Sequence, residues 1–196
     1  MATKQTARTM FRTRQLTVVG MLSSITVILG LTGYGFIPLP LAKATIMHVP
    51  VLIGALLEGP RVGMMVGLMF GLFSIFQNII APNILSFAFL NPLVSVVPRV
   101  LIGLTAYYAY KVMPFKNENL KLGVGAVVGT LTNTIGVLGM IYVIYAADFA
   151  AARGIDPATV WTVITGIAIT NGLPEAIVSA MITIPVVVMV RKALKS

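Results

Sequence analysis

Residues 45–63 read Thr-Ile-Met-His-Val-Pro-Val-Leu-Ile-Gly-Ala-Leu-Leu-Glu-Gly-Pro-Arg-Val-Gly. A polar threonine and the chain's one histidine lead into a mainly apolar run, which stops at the polar turn Glu58-Gly59-Pro60-Arg61. As a helix, Thr45 to Glu58 covers about 21 Å at ~1.5 Å per residue, against a hydrocarbon core of ~30 Å. With the charged turn at one surface, the other end stops inside the membrane's depth, at His48. Non-helical backbone at that depth is tolerated beside protein or a water-filled cavity. Length alone therefore points to a pocket near His48.

The composition outward from this stretch is that of an integral membrane protein: 196 residues, 58% hydrophobic, 10% charged, mean hydropathy +0.97. The apolar runs are continuous and do not alternate, so they read as helices and not as barrel strands. Six segments can be marked: Gln15 to Thr32, Thr45 to Leu57, Arg61 to Ile80, Pro92 to Val112, Leu120 to Ala146 and Thr159 to Lys192. The expected fold class is all-α, a six-helix transmembrane bundle forming one domain over residues 10–196. Residues 3–8, Thr-Lys-Gln-Thr-Ala-Arg, look like a histone-tail epitope, so residues 1–9 read as a tag or disordered start. The basic start is no cleavable signal, because the apolar run after it is too long and lacks a small-residue cleavage site.

Charge sets the expected orientation. With both termini on one side, and Lys4 and Arg8 left out with the tag, that side collects nine Lys and Arg; the other has Lys43 and Arg153. Both termini are therefore expected in the cytoplasm. The same bias accounts for the net charge of +9 without nucleic acid.

Several functions drop out. Zero cysteines exclude disulfides and thiolate chemistry, and one histidine among scattered acids makes no metal site. No nucleophile-histidine spacing, His-Glu-x-x-His or close carboxylate pair argues for catalysis, and there is no Walker A pattern. The expectation is a protein that is not an enzyme, needs no cofactor, and draws energy from a partner or a gradient.

Buried ionisable groups cost at least ~2.5–3.5 kcal/mol each at mid-membrane, which singles out Arg99 and Glu175. Arg99 stays charged and must meet an anion, carbonyls or water; the anion is either Glu175 or a ligand carboxylate. Glu175 is open between a protonated acid, an arginine partner and a cap for a kink at Pro174. Asn171 lies one turn before it on the same face. Asn133 sits near mid-membrane and needs a partner, and Gln77, Asn78 and Asn91 flank the loop after the third segment. Gly63, Gly67 and Gly71 form a small stripe for close helix packing. The apolar loop Gly33 to Ala44, with Pro38 and Pro40, is expected to fold back over the bundle.

The pattern Thr45-x-x-His48-x-Pro50-Val51-x-x-Gly54-x-x-x-x-Gly59-Pro60-x-x-Gly63 resembles the signature of substrate-binding S components of energy-coupling factor vitamin transporters. Pro98-Arg99-x-Leu101-x-Gly103 and Thr170-Asn171-Gly172-x-x-Glu175 look like the same family, and within it the chain is most similar to the pantothenate subgroup. The resemblance implies six helices in a prokaryotic cell membrane and an outer pocket closed by the first loop. It also implies a partnership with a transmembrane coupling subunit and two cytoplasmic ATPases. It places the coupling contact at Gly20 and Ser24, where the family carries Ala-x-x-x-Ala. The expected substrate site comprises His48, Asn78, Asn91, Arg99, Asn133, Asn171 and Glu175, with Arg99 on a carboxylate. Folate, riboflavin and cobalamin stay open as ligands. A stand-alone proton-coupled carrier or channel using Glu175, and a bundle whose polar groups only glue helices, are the rivals from other classes.

Overall fold

The computed structural model describes residues 2–38 and 43–194, with side chains over 13–36 and 45–194. Its elements are α1 (Ala2–Thr32), β1 (Phe36–Pro38), β2 (Lys43–Thr45), α2 (Val49–Glu58), α3 (Pro60–Ile80), α4 (Ser86–Phe89), α5 (Pro92–Ser95), α6 (Val97–Val112), α7 (Glu118–Arg153) and α8 (Val160–Ala193). Among the described residues, five stretches are long and apolar enough to cross a bilayer: Thr13–Thr32, Pro60–Ile80, Pro92–Val112, Glu118–Arg153 and Pro157–Ala193. Val49–Glu58 is apolar but shorter.

That short helix is the centre of the packing. Every residue of α2 from Val49 to Leu56 is buried, so it is apolar all round, as a helix needs to be when no face meets water. It lies against α1, α3, α6, α7 and α8. Its carbonyl end is closed by side chains from elsewhere: Arg191 Nη2 donates to Leu56 O at 2.6 Å, and Glu58 pairs with Arg14. Arg191 also pairs with Glu118, which accepts from the Tyr110 hydroxyl.

The glycine stripe on α3 lets α6 approach at backbone distance. A Cβ at Gly67 would collide with the Arg99 carbonyl, one at Gly71 would stand 2.7 Å from Ser95 O, and Gly63 and Gly103 exclude a Cβ from each other. This close crossing is what brings Arg99 beside the C-terminal half of α3.

Four details correct the expected boundaries. The first helix runs back to Ala2 instead of starting at Gln15. The second starts at Val49, because Thr45 belongs to a ribbon in which Phe36 faces Thr45, Ile37 faces Ala44 and Pro38 faces Lys43. This ribbon is the exception to an all-helical fold, and it uses backbone groups of an apolar loop that a helix leaves unpaired. The fourth segment breaks at Val96, ahead of Pro98, and α4 adds a helical turn before it. The fifth runs to Arg153 across a kink at Tyr145 (φ −129°, ψ 25°). α8 stays helical across Pro174 and Pro185.

Candidate functional site

A cavity of about 490 Å³ opens between the C-terminal end of α3, the N-terminal end of α6 and the two loops beside them. α3 contributes Phe70, Ser74, Gln77 and Asn78, with Ala81 and Asn83 just beyond; the first loop contributes Phe36, Thr45 and Met47; Phe89 and Arg99 complete it. Positions 70, 74, 77, 78 and 81 recur at helical spacing, so one face of α3 forms a wall. This volume suits a small molecule, and the mixture of aromatic surface with a few convergent polar groups is that of a ligand site.

Among the described residues, Arg99 is its one charged lining residue, and no carboxylate lines it. Arg99 is only 6% exposed and forms no ion pair with Glu175. Nη1 donates to Val94 O at 2.5 Å, while Nε is buried with no hydrogen-bond partner in the protein. The Cζ atom lies 5.5 Å from the ring centroids of both Phe70 and Phe89. Two aromatic faces and one carbonyl support a cation without neutralising it. A planar fork of donors is thus held at the cavity wall with capacity to spare, a geometry suited to a carboxylate in a bidentate pair.

The other polar lining groups are unequally free. Asn78 is spent on the loop: its Nδ2 donates to Ser74 O at 2.8 Å, and its Oδ1 accepts from Asn83 Nδ2 at 2.9 Å and Ser86 Oγ at 2.8 Å. Gln77 Nε2 donates to Gly30 O at 3.1 Å, tying α3 to α1 and leaving its carbonyl oxygen without a protein donor.

Of the residues expected in the site, Asn78 and Arg99 line this cavity and the others do not. Asn91 caps α5 by accepting from Leu93 N at 2.9 Å and donates to the Tyr145 hydroxyl at the α7 kink. His48 is fully buried, with Nε2 3.0 Å from Thr130 Oγ1 and 2.8 Å from Ser179 Oγ. Glu175 accepts from Thr45 N at 2.6 Å and from Thr134 Oγ1 at 3.1 Å. Asn133 and Asn171 each keep a buried side-chain oxygen without a partner. Gly20 and Ser24 lie on an open face of α1; a Cβ at Gly20 would touch nothing within 4 Å, and Ser24 Oγ donates to Gly20 O.

Sequence reasoning missed Ser74, Phe70, Phe89 and the lining role of Thr45. For α3 the signal was present, since Phe70, Ser74, Gln77 and Asn78 share a helical face. For Phe89 and Thr45 there was none, because both reach the cavity through loop geometry.

Comparison with known proteins agrees with this picture. Residues 14–187 match the family model described as the ECF transporter, substrate-specific component. The chain is 30% identical over 173 residues to the pantothenic acid transporter PanT of Lactococcus lactis subsp. cremoris, covering 80% of this chain and 81% of that protein. It is 37% identical over 113 residues to the pantothenate transporter PanT of Leuconostoc mesenteroides subsp. mesenteroides, covering 53% of this chain and 55% of that one.

Proposed function

Since the chain belongs to the family of ECF transporter substrate-specific components, a family of multi-pass membrane transport proteins and not of enzymes, we propose that it captures pantothenate from outside the cell. The observation that carries this reading is Arg99, whose buried Nε has no partner among the described residues, set against a hollow that no described carboxylate lines. Pantothenate brings a carboxylate for that fork, apolar methyl groups for Phe36, Phe70 and Phe89, and hydroxyl and amide groups for Ser74, Thr45 and the Gln77 carbonyl. The pantothenate transporters it resembles favour this vitamin over folate, riboflavin and cobalamin.

In this proposal residues 10–196 form one six-helix domain in a prokaryotic plasma membrane, with both termini cytoplasmic and residues 1–9 an appended tag. The nine-to-two distribution of Lys and Arg supports that orientation. The chain binds substrate and leaves ATP hydrolysis to two partner ATPases, joined to it by a coupling subunit. The open α1 face at Gly20 and Ser24, continued by exposed Leu16, Met21, Ile28 and Leu31, supports that contact. Within the site, Arg99 holds the anion and Asn78 shapes the loop beneath it. Asn91, His48, Asn133, Asn171 and Glu175 act from behind the wall.

The test is calorimetric titration of the purified protein with pantothenate, folate, riboflavin and cobalamin. Tight binding of pantothenate alone is expected; its absence, or unchanged binding by Arg99→Ala, refutes the assignment. A stand-alone carrier would instead move solute or protons when reconstituted alone in liposomes.

A further inference from the structure

The segment Thr45–His48, which ends the first loop and enters α2, is held on the bundle by a two-rung ladder. On α8, Glu175 and Ser179 stand four residues apart on one face. Glu175 Oε1 takes the Thr45 N–H at 2.6 Å, and Ser179 Oγ meets His48 Nε2 at 2.8 Å. On α7, Thr134 and Thr130 repeat the same spacing: Thr134 Oγ1 donates to Glu175 Oε2 at 3.1 Å, and Thr130 Oγ1 meets His48 Nε2 at 3.0 Å. The histidine rung is buried, and the glutamate rung is part-buried where Thr45 meets the cavity. The histidine rung fixes the start of α2. The glutamate rung fixes β2, whose Thr45 lines the cavity, although Glu175 itself does not.

A carboxylate is a costly group to bury without a cation, and Glu175 is 5% exposed with no ion pair. Its two oxygens are instead spent on one backbone amide and one hydroxyl, and a charged acceptor holds an amide more strongly than a neutral one. We propose that Glu175 is a positioning residue that anchors β2 to α8 and thereby sets how long ligand stays in the cavity beneath the first loop. Its influence on binding runs through Thr45 and the ribbon, not through contact with ligand; only the effect on ligand rests on the pantothenate reading.

The chain's lack of cysteine makes a single-probe experiment clean. Tyr34, 81% exposed just before β1, is replaced by cysteine and spin-labelled in nanodiscs, with pantothenate dissociation followed in parallel by stopped flow. Glu175→Ala is expected to loosen the label in the ligand-free protein and to speed dissociation roughly 10- to 100-fold, the effect of losing a charge-assisted hydrogen bond. Glu175→Gln keeps a carbonyl acceptor but loses its charge, and is expected to fall between the parent and Glu175→Ala. A role limited to gluing α7 to α8 would lower the melting temperature without loosening the label. An unchanged ligand-free label overturns the proposal, whether affinity falls or not. If the parent binds no pantothenate but Glu175→Ala loosens the label, the anchor stands and the ligand assignment falls. Should Glu175→Ala not fold, Thr45→Pro removes the same N–H from the loop side and is judged by the same label.

Discussion

Two buried polar regions of this protein make opposite use of the same expense. Around His48, hydroxyls from α7 and α8 converge on one imidazole nitrogen, with Thr130 also returning a hydrogen bond to Ala126 O. Around Arg99, the protein supplies one carbonyl and two aromatic faces and leaves the rest of the fork to a hollow. The fold ties up Nε2 of the first region and leaves His48 Nδ1 buried without a partner among the described residues, while the second region sets its spare donors against a cavity. In lipid, where helices gain no hydrophobic attraction for one another, a satisfied polar cluster holds helices together. On the proposed reading, the cation that the fold leaves partly unpaired is kept for the ligand.

The contrast can be broken most directly at Arg99. Arg99→Met preserves bulk and removes the charge; pantothenate affinity is expected to fall by at least 100-fold while thermal stability holds or rises, since apolar replacement of a buried charge is often neutral or stabilising. A fall in both would mean that the arginine is glue, like His48. Calorimetry and thermal unfolding on one preparation decide it.

Next in size is Gly67→Ala. Its new methyl collides with the Arg99 carbonyl, so α3 and α6 must part, at about 1–3 kcal/mol of stability and with weaker binding because the fork shifts with its helix. His48→Ala is expected to lose about 1–3 kcal/mol in unfolding measurements, as Thr130 and Ser179 lose their shared partner. Its ligand affinity should change only a few-fold, and a loss as large as that at Arg99 would merge the two regions into one site. Smallest of all is Gly139→Ala, where the added carbon meets nothing within 4 Å; a neutral or slightly raised melting temperature is expected.

Much of the fold can be read in the residues. The apolar runs, the short second helix and the glycine stripe on α3 follow from local length, hydropathy and spacing. The candidate site was legible only in part. Arg99 stands out because a cation in an apolar run is expensive wherever its helix faces, and Asn78 stands out for its place at the end of the third segment, beside the loop. Glu175 stood out equally, but what it contacts was left open, since an acid at that depth is compatible with a cation, a cap or a proton. The β-ribbon was hidden because its pairing spans a loop whose proline-rich middle gives no strand signal.

What the sequence alone determined is a helical membrane body with one short, submerged element, because transfer of a segment into hydrocarbon depends on that segment's own length and polarity. Only the tertiary structure decided that Arg99 faces a hollow while Glu175 grips a strand. The choice of partner for a buried polar group depends on how far each helix is rotated and how closely it meets its neighbours. Those quantities come from glycine contacts and loop closure across the bundle, and no single segment encodes them.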